Sequence, residues 1–206
     1  MKKSFLFLVT VLSIFFLSAQ DAKIIFNAEK IVFYGLDFTK AKFALPDAKP
    51  DDIKNNLFKQ WNDNVFSDNG RFNKESAFKK LTVYGEPSVV EKRNATVNAS
   101  GLTEKYEKPL AKTDIQNVIS EYLGGTRKDG LGVVFIVESF SKKDKKGIAD
   151  VVFFDIASHK VLLSKQMTGE PRGGGLNNFW MGAIQVMFDN MANGEFEVWK
   201  KEVTGK

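Results

Sequence analysis

Arg172, Gly173, Gly174 and Gly175 precede a stretch that Asn177 or Asn178 can open as a helix. Glycines let successive backbone amides turn toward one point, and a helix N-terminus adds partial positive charge, so the arrangement suits an anion. The run matches neither the phosphate loop GxxxxGK(S/T) nor the dinucleotide fingerprint GxGxxG, and a flexible strand-to-helix connector is the commoner reason for such a run. Acid–base work would fall to Asp37, Asp150 or Asp155, which lie on or at the ends of expected strands. Strand-end aspartates more often cap turns or enter salt bridges. A hydrolase for phosphorylated or acidic substrates would use Asp37 or Asp155 as acid or base and the Arg172 loop as anion cradle, which requires both in one cleft. His159 is the only histidine and falls in an expected turn, which suits a solvated residue better than a general base and excludes an HExxH zinc site. No metal site and no cofactor are expected. Lys142, Lys143, Lys145 and Lys146 could meet acidic polymers or lipid headgroups, although a charged hairpin tip is usually a solubilising loop. Trp61, Trp180 and Trp199 are core candidates before they are ligand platforms.

These residues need a scaffold, and the patterning supplies one. Residues 132–140 and 148–156 are β-branched and aromatic runs with apolar residues at both parities, as in strands covered on both faces. The polar segment 141–147 joins them as a hairpin, and 161–168 follows as a third, wetter strand of a meander. Residues 31–38 form another covered strand. Pro50 at a first helical position, Asp51 and Asp52 in the first turn, and Ile53, Leu57, Trp61 and Val65 at four-residue steps describe a helix over 50–66 that ends at Asp68-Asn69-Gly70. A short helix over 73–80 leads into a strand at 81–84, and the polar run 88–97 reads as a sheet edge. Asn94-Ala95-Thr96 and Asn98-Ala99-Ser100 match the glycosylation acceptor pattern, but no sugar is expected. Thr113 and Gln116 form a capping box for a helix over 114–123, and 178–191 is apolar nearly all round, as befits a central helix. Residues 195–199 offer a closing strand.

Length and composition narrow the class. Met1-Lys2-Lys3-Ser4, the apolar run from Phe5 to Leu17 and the small residues Ser18 and Ala19 have the form of an export signal cleaved near Gln20. The run is shorter than the ~20 residues a bilayer needs. About 186 residues then remain, a natural size for one domain over 21–206. Removing Lys2 and Lys3 leaves 28 basic against 25 acidic residues, an excess too small to nominate nucleic acid. Without cysteine there is no disulfide framework, thiol nucleophile or lipid-attachment site.

The order strand, helix, strand, helix and long hairpin, whose second strand ends in Phe154-Asp155-Ile156-Ala157-Ser158-His159-Lys160-Val161-Leu162, resembles a group of envelope proteins. They are the curli-secretion lipoprotein, the lipoprotein activator of penicillin-binding proteins and the N-terminal domain of the translocation protein TolB. The likeness extends to Gly173-Gly174-Gly175 running into the helix through Ala183 and Ile184, and covers residues 31–191 as architecture. The resemblance implies a non-enzymatic binding or assembly component of the Gram-negative envelope, whereas the missing lipidation cysteine departs from the lipoproteins. The expectations are thus an α+β fold, with one mixed, mostly antiparallel sheet of four to five strands covered by about three helices. The protein would be periplasmic or secreted, bind an envelope protein partner, and have no transmembrane segment in its mature chain. Self-association is left open.

Overall fold

The computed structural model describes residues 21–46, 48–67 and 70–205. The expected signal segment, residues 1–20, lies outside them. Among the described residues six strands form one mixed sheet, which agrees with the α+β expectation and exceeds its strand count. They are β1 (Lys30–Asp37), β2 (Lys42–Ala44), β3 (Thr82–Gly85), β4 (Leu131–Ser141), β5 (Lys146–Asp155) and β6 (Lys160–Gly169). The order is β3-β1-β4-β5-β6, and β2 pairs with β4 beyond the end of β1. β4, β5 and β6 form the expected meander, and these two antiparallel ladders are the long ones. The pairs β1–β3, β1–β4 and β2–β4 are parallel, so the sheet is mixed, as expected.

Parallel neighbours need crossovers, and here they pass over opposite faces. Helix α1 (residues 21–27), α2 (residues 50–66) and α3 (Lys74–Phe78) pack on one face. Helix α4 (Pro87–Ala95) and α5 (Lys112–Ser120) cover the other. Helix α6 (Gly175–Asn190) and α7 (Phe196–Thr204) return to the first face. That face is thick and aromatic: Phe135 stacks on Phe188 at 5.0 Å and Phe140 on Trp180 at 4.6 Å. The other is thin, its core built from Val89, Val90, Ile115, Val118, Ile119 and Tyr122 against β1, β4 and β5.

Several elements depart from expectation for identifiable reasons. Residues 88–97 are helix rather than edge strand, because Pro87 occupies a first helical position and Val89, Val90 and Asn94 share one buried helical face. Residues 196–199 open α7, and Glu195 ends the π-turn before it, in place of the expected closing strand. Phe196 and Trp199, three apart, are both buried, and Gly194 at φ 143° makes the kink between α6 and α7. In α2 a π-turn at Ile53–Leu57 inserts one residue, so burial steps from Ile53 to Phe58 instead of Leu57 before resuming at Trp61 and Val65. At α5 the cap differs as well: Asp114 Oδ2 accepts from the Ala111 amide at 3.1 Å, and Gln116 turns elsewhere.

Gln116 pairs with the free edge of β6. Its Oε1 accepts from the Val161 amide at 3.0 Å and its Nε2 donates to the His159 carbonyl at 2.8 Å. Two asparagines do the same for β1 where β3 ends. Asn62 Oδ1 accepts from the Leu36 amide at 2.8 Å, and Asn94 Oδ1 accepts from the Phe38 amide at 2.8 Å. Both amides donate to the Leu36 carbonyl, at 3.0 and 2.9 Å. Buried backbone groups must find partners, and carboxamides here continue the sheet past its last strand. Asn94 is thereby buried and committed, whereas Asn98 caps a 3-10 turn over Ala99–Thr103.

Candidate functional site

The thin face changes character along the sheet. Toward the start of β1 and β4 it is apolar, but at their C-terminal ends it carries Asp37, Glu138 and Asp150, which are 0, 1 and 4% exposed. Ligands of open α/β sheets gather outside the carboxyl ends of parallel strands, so this end merits the closest reading.

Asp37 closes β1 and is fully engaged. It accepts from Arg93 Nε and Tyr122 OH, each at 2.8 Å, and from the Thr39 amide and hydroxyl at 2.8 and 2.5 Å. Arg93 lies over the Tyr122 ring and also reaches Glu121 at 2.8 Å. Burial opposes the Arg93 charge, but Asp37 and Glu121 outweigh it and raise its pKa. Burial, then Asp37, drives Tyr122 well above the ordinary tyrosine range. This cluster locks β1 to α4 and α5 and leaves Asp37 no lone pair for a substrate.

Glu138 and Asp150 make a different arrangement. The β4–β5 register slips between Val137 and Ser139, so Glu138 is the extra residue of a β-bulge. Bulges re-aim side chains and recur beside functional sites. Glu138 Oε1 accepts from Gln166 Nε2 at 2.6 Å, while Oε2 accepts from Tyr106 OH at 3.1 Å and from the Leu110 amide at 2.8 Å. Asp150, on β5, lies opposite Gln166, the donor to Glu138, and takes a 3.3 Å contact from Ser164 Oγ. Burial first, and the Glu138 charge second, push Asp150 up to about 7. Tyr106 is pushed to about 12 by the same two causes.

Residues 104–111 have no regular structure and cross above this pair as a strap. Tyr106 and Leu110 pin it to Glu138, and Lys42 Nζ holds its start through Glu104 at 2.5 Å and the Gly101 carbonyl at 2.8 Å. Between strap and residues 39–42 lies a groove of about 670 Å³ with Glu138 at its floor. Lys40, Lys105 and Lys108 stand exposed at its mouth.

The residues singled out from sequence lie elsewhere. Arg172 Nη2 pairs with Asp189 at 3.0 Å, near the far end of α6, and its amide donates to the Phe179 carbonyl at 3.2 Å. Gly174 precedes α6 without a side-chain cap, and Gly173 and Gly175 take positive φ of 112° and 72°. Asn177 Oδ1 accepts from Asn64 Nδ2 at 3.4 Å. Arg71 donates to the Asn178 side chain at 3.2 Å and its carbonyl at 3.1 Å, so Arg71 attends this helix start. Asp155 accepts from the Ser158 amide and hydroxyl at 2.8 and 2.6 Å, which makes it a turn residue. It sits at the Leu131 end of β5, whereas the glycine loop follows the Gly169 end of β6, paired with Gly147. Asp37 lies on the thin face and the loop's helix on the thick one. No single cleft gathers Arg172 with either aspartate.

His159 adopts φ 55° in its turn, and Trp61, Trp180 and Trp199 are buried. Among the described residues no group of three or more histidines, cysteines or carboxylates could hold a metal ion, and no helix is long and apolar enough to cross a membrane. Sequence reading passed over Glu138, although a lone acid inside the apolar run Leu131–Ser141 was its signal. Comparison with protein-family models, with curated proteins and with solved structures returns no match.

Proposed function

We propose that this chain is a non-catalytic binding module of the bacterial cell envelope, exported and soluble, that seats an acidic segment of a protein partner in the groove beneath the strap. The observation that carries the reading is the mouth of that groove, where Lys40, Lys105 and Lys108 have no hydrogen-bond or ion-pair partner among the described residues. Three exposed ammonium groups around one concavity attract carboxylates and steer their approach. Binding is favoured over hydrolysis because Asp37 and Asp155 spend their oxygens on neighbouring donors and stand apart from the Arg172 loop.

The test pairs wild type with a Lys40→Ala, Lys105→Ala, Lys108→Ala variant. Wild type should bind short Asp/Glu-rich peptides with an affinity that falls as salt rises, and should recover a specific partner from envelope extracts. The variant should keep its fold and lose both. Equal recovery by the two proteins would remove the groove from consideration.

A further inference from the structure

We propose that the strap over residues 104–111 is a proton-operated gate, closed while Asp150 is protonated beside Glu138 and released when Asp150 ionises. The gate lies on the groove assigned above, so its regulatory meaning rests on that reading, whereas its mechanics can be measured without any ligand.

The geometry begins with the strap's anchors. Lys42 of β2 holds the strap's start, and two further contacts with the sheet converge on one oxygen, since Tyr106 OH and the Leu110 amide both donate to Glu138 Oε2. Pro109 stiffens the backbone between them, so the two anchors act together. Asp150 is the cross-strand partner of Gln166, whose side-chain amide donates to Glu138, so the two carboxyl groups, 4 and 1% exposed, are neighbours on the thin face. The groups that face the pair are Tyr106 and the Leu110 amide from the strap, and Ser164 and Gln166 from β6. From α4, Arg93 is committed to Asp37 and Glu121. Lys40, Lys42, Lys105 and Lys108, with Glu104 and Glu107, stand at the groove, where only Glu138 of the pair lines the wall.

Deprotonation therefore places two like charges side by side on adjacent strands, and among the described residues no cation pairs with Asp150. Asp150 is held on a central strand, but Glu138 is a bulge residue lining an open groove. Repulsion is relieved when Glu138 turns outward to water and the lysines, and the Tyr106 and Leu110 bonds break with that turn. Burial and the neighbouring acid place the transition close to neutrality, at about 7. The gate is shut on the acidic side and open on the alkaline side.

Hydrogen exchange measured as protection factors, which remove the intrinsic pH dependence of amide exchange, reads this directly. Protection of the Leu110 amide, the strap amide bonded to Glu138, should fall by about tenfold in the wild-type protein between pH 6 and pH 8.5, with β5 as an unchanging internal reference. Asp150→Asn keeps a neutral donor to Glu138, and its strap should stay protected at both values. Glu138→Gln removes the like charge and one acceptor, so its strap should be less protected throughout and insensitive to pH. Constant protection in the wild type would overturn the gate, as would an Asp150→Asn strap that loosens like the wild type. The acidic peptides play no part in this measurement, so a failed binding assay and a failed gate remain separate results.

Discussion

At the residue scale, Asp150 carries the clearest thermodynamic signature. Its folded-state pKa is raised from 3.8 to about 7, so the native state holds this proton more tightly than the unfolded chain. The resulting stabilisation is fully present below pH 4 and is lost as pH rises through 7, on the order of 4 kcal/mol in all. Denaturant unfolding between pH 5 and pH 8 should show wild-type stability falling, and Asp150→Asn should flatten that slope. A parallel slope in the variant would assign the effect to another group. Arg172 presents the opposite case, because its pair with Asp189 is about half exposed on both sides. Arg172→Ala should cost under about 1 kcal/mol in thermal unfolding, and sulfate should protect wild type and variant alike. The contrast shows what sequence reading could reach. Arg172 stood out because arginine beside three glycines has a known chemistry, yet a pattern cannot say which way a side chain turns. Asp150 was noticed as a strand carboxylate, but its partner Glu138 depends on a bulge, a register fault between strands that no single strand's sequence records.

At the element scale, periodicity worked where one face of one element decided the outcome. The meander and the helices near 50–66, 114–123 and 178–191 are amphipathic or β-branched enough to be read directly. The run 88–97 misled because Val89 and Val90 are good strand residues, and Pro87 with tertiary packing overrides that preference. The contact of α6 with β6 was not legible either, since it rests on absent atoms. A Cβ on Gly169 would fall inside the Ala183 carbonyl, and one on Gly182 inside the Arg172 backbone. Gly169→Ala should therefore force α6 off the sheet and cost more than about 3 kcal/mol, seen as a large fall in melting temperature. Gly174→Ala meets open space at an ordinary φ of −95° and should change stability by less than about 0.5 kcal/mol. Gln116→Ala would leave the Val161 amide and His159 carbonyl to solvent at a cost of about 1 to 2 kcal/mol. It would also expose an edge able to pair with another chain, so sedimentation velocity should show new self-association.

At the scale of the whole molecule, the two faces divide the labour. Phe33, Phe135, Phe140, Phe153, Trp180 and Phe188 make the thick face the source of cohesion, with burial of each large aromatic contributing a few kcal/mol. The thin face has a smaller apolar core and gives its remaining area to Asp37, Glu138 and Asp150. The groove beneath the strap fits there because little packing is sacrificed to make it. The strand order has a further consequence, for the timing of folding on the ribosome. β4 lies between β1 and β5 and also holds β2, yet it begins only at Leu131. Until it emerges, β1 has just the four-residue β3 as a partner, and the aromatic side chains of β1, α2 and α3 have no sheet to cover. The nascent first 130 residues are therefore a sticky, incomplete half that cannot settle by itself. Such a chain remains threadable and open to chaperones throughout most of its synthesis, and it commits to its native form only once the meander has left the exit tunnel.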